Sequence, residues 1–91
     1  MTVNNLNELT NHSDLAIRKI EDVYYLLIGE DVYESNEIGA IIVNATGRDL
    51  SIDELCTRIS KKFSFENTVQ IRSDVDEYIE YLLAEGLLSR E

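Results

Sequence analysis

The chain has 91 residues, 44% of them apolar, which is enough for one domain with a modest core and too few for two. Its 18 acidic and 8 basic residues leave a formal charge of −10, which sets it against nucleic-acid phosphates and anionic membrane surfaces. A single cysteine excludes an internal disulfide, and the longest apolar run, Val23 to Ile28, falls far short of the ~20 residues of a spanning helix.

Residues 1–12 are rich in Asn and Thr, with Val3, Leu6 and Leu9 as the only apolar anchors. They read as a flexible arm with at most one short helical turn, preceding a domain over 13–91. The arm lacks the basic-then-apolar pattern of a signal peptide, so a reducing cytoplasm is the expected location.

Three short strands are predicted next. Leu15 to Ile20 alternates, Val23 to Ile28 is dense in β-branched and aromatic residues, and Val32 to Ser35 alternates again. Glu21-Asp22 and Gly29-Glu30-Asp31 are short enough to force antiparallel hairpins. The result is a meander whose middle strand is apolar on both faces and whose third strand is an edge. Alternation puts Tyr24 and Tyr25 on opposite faces, one of them toward the core.

Everything after Asn36 reads as helix. Asn36 or Ser35 caps a helix over Glu37 to Ala45, with Ile38, Ile41 and Ile42 on one stripe and Gly47 beyond its end. Ser51-Ile52-Asp53-Glu54 has the form of a capping box and opens a second helix to about Phe63, with Ile52, Leu55, Cys56, Ile59 and Phe63 on one face. After a polar loop, Ser73 to Asp76 caps a third helix carrying Val75, Tyr78, Ile79 and Leu82 at helical spacing. Gly86 ends it, and Leu87-Leu88 packs back. The order βββααα makes an α+β domain, with helix lengths and turn spacings like those of a winged helix-turn-helix core.

Few residues invite chemistry. His12 is the only histidine and sits in the arm, which supports neither a metal site nor a catalytic triad. Cys56 lies on the apolar stripe of the second helix and reads as a small core residue. Asp74, Asp76, Glu77, Glu80 and Glu85 crowd the third helix as a solvated face, able to select a partner bearing Lys or Arg. The basic group Arg58, Lys61, Lys62 and Arg72 is too small for a nucleic-acid patch and reads as neutralising nearby acids or touching a partner. No nucleophile–base pair or metal cluster is apparent, so no enzyme activity, cofactor or metal is expected.

Three pieces of the chain resemble the PqqD family. Val32 to Ile42 is similar to its edge strand, Asn-Glu and small-residue-rich first helix. Gly47 followed by Leu50-Ser51-Ile52-Asp53-Glu54-Leu55 looks like its entry to the second helix. Asp74-Val75, Tyr78, Ile79, Leu82 and Glu85-Gly86-Leu87-Leu88 look like its tail. In order and after three strands, they carry a resemblance over about residues 13–88, although the proline- and arginine-rich first strand of the pyrroloquinoline-quinone members is missing.

The resemblance implies a non-catalytic peptide chaperone. The leader of a ribosomally made precursor would add a strand to the third strand, lie against the third helix, and be presented to a radical SAM enzyme, a leader peptidase or a cyclase. A monomer is expected when the peptide is bound, and the net charge argues against a nucleic-acid or membrane partner. A short open edge beside an amphipathic helix suits that mode on physical grounds. The peptide-binding residues expected are Val32, Tyr33, Glu34, Ser35 and Ile38, with Val75, Ile79 and Leu83. Val32 and Glu34 face one side of the sheet, Tyr33 and Ser35 the other, and alternation leaves open which side meets the peptide. The three helical positions belong to the groove if Tyr78 and Leu82 point to the core. A winged-helix nucleic-acid binder and a dimerisation or scaffold domain are the competing functions, the first weakened by the acids on the third helix.

Overall fold

The computed structural model describes residues 3–63 and 68–90. Residues 64–67 of the loop expected after Phe63 and the first two residues of the arm lie outside them. In chain order, a 3-10 turn (Leu6–Glu8) leads into β1 (Leu9–Asn11), β2 (Ala16–Ile20), β3 (Val23–Ile28) and β4 (Asp31–Ser35). Three helices follow, α1 (Glu37–Ala45), α2 (Ile52–Phe63) and α3 (Thr68–Ala84), before β5 (Leu88–Arg90). The α+β reading therefore holds, with an antiparallel sheet in the order β2-β3-β4 preceding three helices.

Register follows from the two hairpins. Ile20 pairs with Val23 across Glu21-Asp22, both of which take positive φ (48° and 69°), as a right-twisted two-residue turn of type I′ requires. Ile28 pairs with Asp31 across Gly29-Glu30. Leu26 at the centre of β3 is fully buried, and its cross-strand neighbours Ile17 and Tyr33 pack on the same core. The opposite face carries the rows Ala16–Leu27–Val32 and Arg18–Tyr25–Glu34, with Val32 63% exposed. Tyr24 and Tyr25 are both half-buried, so neither is the core tyrosine that alternation suggested.

The helices are held by the caps the sequence announces. Asn36 Oδ1 accepts the Gly39 N–H at 2.8 Å, and Ser51 Oγ accepts the Glu54 N–H at 3.0 Å. At the end of α3, Gly86 takes φ 79° and its N–H bonds the Leu83 carbonyl at 3.2 Å, while the Leu87 N–H bonds that of Leu82 at 2.9 Å. This is a complete Schellman closure, with Leu82 and Leu87 both fully buried across it.

Two expectations are corrected. Helix α3 begins at Thr68 rather than at a cap near Ser73, because Ile71 extends the buried stripe of Val75, Ile79 and Leu82 by one turn. Residues 3–12 are not a flexible arm. Val3, Leu6 and Leu9 are all buried, and β1 pairs with β5 from Leu9–Arg90 to Asn11–Leu88. The asparagines fix this segment. Asn5 Oδ1 accepts from the N–H groups of Asn7 (2.9 Å) and Leu50 (3.2 Å), and Glu8 reaches back to the N–H of Asn5 at 2.7 Å. Asn11 Nδ2 donates to the Val43 carbonyl at 3.1 Å. The segment thus ties the α1–α2 connection and the chain's end into one core.

Candidate functional site

The site is built on the outer edge of β4. Ile28 and Asp31 close a two-residue hairpin, so the hydrogen-bonded pairs of the β3–β4 ladder fall at Asp31, Tyr33 and Ser35. The backbone N–H and C=O groups of Val32 and Glu34 therefore turn outward to the open edge. No other strand covers that edge among the described residues. Beside it runs a trough of about 650 Å³ lined by Glu34, Ser35, Asn36, Asp74, Glu77, Tyr78 and Tyr81.

Helix α3 supplies the far wall. Its buried stripe, Ile71–Val75–Ile79–Leu82, faces the core, and the flanking stripe Asp74–Tyr78–Tyr81 faces β4. Tyr78 is held by a 2.5 Å hydrogen bond between its hydroxyl and that of Ser35, which shares the core side of the sheet with Tyr33. Tyr81 meets Tyr78 edge to face, with ring centroids 5.7 Å apart. Burial pushes the Tyr81 phenol up from its ordinary value of 10.0, and Glu85, Tyr78 and Tyr33 push the same way, so at neutral pH it is a hydroxyl donor.

Gly39 is what lets the wall come so close. A Cβ placed there would sit 2.6 Å from the Tyr78 hydroxyl and closer still to Ser35 Oγ. The small residue in α1 therefore seats Tyr78, and Tyr78 in turn positions the trough. Glu34, Asp74 and Glu77 line the trough and no cation does, so its field favours a neutral or basic occupant.

The structure sorts the expected site residues. Glu34 and Ser35 line the trough, and Tyr33 lies near enough to Tyr81 to act on its ionisation. Val32 offers its backbone to the edge while its side chain points to the outer face of the sheet. Ile38 is half-buried against the core. Val75 and Ile79 are 0% and 2% exposed, so they belong to the core and do not line the trough. Leu83 lies on the flank of α3 opposite Tyr81, packed against the core. The alternative helical face, with Tyr78 and Tyr81, is the one presented. Asn36, Asp74, Glu77, Tyr78 and Tyr81 were outside the predicted set, although Asp74, Tyr78 and Tyr81 recur at helical spacing as a polar-aromatic stripe.

The other candidate groups have structural surroundings. His12 Nδ1 accepts the Asp14 N–H at 3.1 Å. Cys56 is buried, and that burial, with Asp53 and Asp76 adding to it against Arg72, pushes its thiol above the ordinary value of 9.0 and away from the reactive thiolate. Arg72 bonds Asp53 of α2 and also Asp76, at 3.2 Å, so it is already engaged. Among the described residues no group of three or more His, Cys, Asp or Glu is placed to hold a metal ion, and no helix is long and apolar enough to cross a membrane.

A family model described as coenzyme PQQ synthesis protein D (PqqD) matches residues 23–88, from the start of β3 through all three helices. No curated protein and no solved structure gives a significant match. Because that match takes in well over half the chain, including β4, α1 and α3 that build the trough, the chain belongs to the PqqD family.

Proposed function

We propose that this domain captures the leader of a ribosomally made precursor peptide and presents it to a peptide-modifying enzyme, taking no part in the chemistry itself. The leader adds as a strand to β4, bonding the outward N–H and C=O groups of Val32 and Glu34, and lays alternate side chains into the trough against Tyr78 and Tyr81. The observation that carries this reading is an open strand edge running alongside a tyrosine-lined trough, within the part of the chain matched to the family. The enzyme served is a radical SAM protein, a leader peptidase or a cyclase.

The energetics require both components. Ordering a flexible leader costs about 2–5 kcal/mol. Backbone hydrogen bonds exchanged with water return only about 0.5–1.5 kcal/mol each. The tyrosine wall supplies the remainder by burying apolar surface from both partners.

Calorimetric titration with the leader of the precursor encoded beside this chain tests the reading. One-to-one saturation that is lost on scrambling the leader, and weakened about tenfold or more by Tyr81→Ala in a folded domain, is the expected result. A folded wild-type domain that does not bind that leader would remove the proposal.

A further inference from the structure

A second concavity lies away from the trough, between α1 and α2. It holds about 280 Å³ and is lined by Ile41, Ala45, Leu55 and Ile59 as an apolar floor, with Asn44 and Leu50 completing the wall and Arg48, Arg58 and Lys62 at its rim. Three of the chain's eight basic residues therefore border one pocket in a molecule of net charge −10, and no carboxylate lines it. Lys62 makes an exposed ion pair with Glu37 at 3.0 Å, whereas Arg48 and Arg58 make no ion pair among the described residues. Both are exposed. The basic group anticipated from the sequence is thus divided. Arg72 is committed to Asp53 and Asp76, and Arg48 joins Arg58 and Lys62 instead.

We infer that this pocket docks an acidic segment of the peptide-modifying enzyme, inserting one apolar side chain between α1 and α2 while its carboxylates meet Arg48 and Arg58. The inference rests on the leader-capture reading and adds the surface by which the loaded domain engages its enzyme. Charge complementarity selects the occupant. The rim is a local cationic field within an anionic molecule, and guanidinium groups pair with carboxylates through two parallel hydrogen bonds. The apolar floor favours a protein side chain over a phosphate backbone, and three cations are few for a nucleic acid.

The placement suits a presenting domain. Asn36, the cap of α1, borders the trough, and Ala45, the last residue of α1, borders the pocket. A helix of this length separates the two by about 13 Å. They share no lining residue, so the leader and the enzyme segment can be held at once.

The test uses the whole domain, the leader, and the purified peptide-modifying enzyme encoded beside it. Binding to each is measured for wild type, for R48E/R58E and for R48K/R58K, at about 0.05 M and 0.5 M salt. The expected result is that R48E/R58E lowers enzyme affinity about tenfold or more and R48K/R58K far less, with leader affinity and circular dichroism unchanged. Wild-type enzyme binding should also weaken at the higher salt. Unchanged enzyme affinity in R48E/R58E, no enzyme binding by wild type, an equal loss of leader affinity, or loss of binding only to a single-stranded oligonucleotide would each overturn the inference. Enzyme binding that depends on Arg48 and Arg58 in a domain that does not bind the leader would sustain the pocket and remove leader capture.

Discussion

Gly39 and Tyr78 illustrate how one small residue sets the geometry of a whole site. Replacing Gly39 with Ala favours helix by about 1 kcal/mol in isolation. Here the added methyl collides with the hydrogen-bonded Ser35–Tyr78 pair, and overpacking of this kind costs about 1–3 kcal/mol. We expect Gly39→Ala to be destabilising in urea titrations and to weaken leader binding by moving Tyr78. Adding Tyr78→Ala should cost much less in the Gly39→Ala background than in wild type. Simple additivity of the two substitutions would show that the contact is not what matters. Cys56 permits a test by pH. Its thiol is raised above 9.0 in the folded state, so the native protein holds that proton more tightly than the unfolded chain does. Stability is therefore full below about pH 9 and falls as the pH climbs past it, because the unfolded state then releases a proton the native state retains. Urea midpoints followed from about pH 7 to 10.5 should decline in wild type from near pH 9. In Cys56→Ala the decline should begin later, near the ordinary Tyr81 value of 10.0.

Helix α3 shows which parts of an element pattern alone can orient. Val75, Ile79 and Leu83 form one plausible stripe and Tyr78 with Leu82 another, so a helix taken from Ser73 onward leaves its inward face undecided. Starting it at Thr68 brings in Ile71, and Ile71–Val75–Ile79–Leu82 then emerges as the buried stripe. Ile79→Asp should consequently unfold the domain, since it places an unpaired charge at a position 2% exposed. Tyr81→Ala, at a position 41% exposed, should leave the thermal midpoint nearly unchanged while losing leader affinity. The reverse pattern would mean that the two faces are misassigned. The caps and hairpins were readable because each is local: Asn36, Ser51, Glu21-Asp22 and Gly86 all act within a few residues of themselves. The β1–β5 pair was not, since three-residue strands have no period to detect and their partners stand at opposite ends of the chain. The Asn-rich composition pointed toward flexibility, but Asn5 and Asn11 spend their side chains on backbone groups of distant segments. Burial of Val3, Leu6 and Leu9 contributes about 1.5–3 kcal/mol each, against a typical domain stability of about 5–15 kcal/mol. Deletion of residues 1–11 should therefore abolish cooperative thermal unfolding, although the family match begins only at residue 23. A truncated chain with an undiminished midpoint would show that β5 and the α1–α2 connection need no cover from this segment.

Across the whole molecule the charge is unevenly spread, and that distribution makes the two surfaces distinguishable by experiment. The trough presents Glu34, Asp74 and Glu77 without a cation, and the α1–α2 pocket presents Arg48, Arg58 and Lys62 without an acid. A net charge of −10 attracts a basic leader from a distance and is screened beyond about 10 Å at 0.1 M salt. Exposed carboxylates at the rim of a binding site act mainly on the encounter, whereas buried aromatic contacts act on the lifetime of the complex. The double substitution D74N/E77Q removes two charges from the trough and keeps side-chain size. For a leader bearing Lys or Arg, it should slow association by about three- to tenfold at low salt, flatten the salt dependence of that rate, and leave dissociation nearly unchanged. Tyr81→Ala should do the opposite, accelerating dissociation with little effect on association. Stopped-flow or surface-based kinetics on the two variants separates these contributions. An association rate indifferent to D74N/E77Q would mean that the acids of α3 solvate the helix without steering the leader, and that the tyrosines and the β4 edge alone select it.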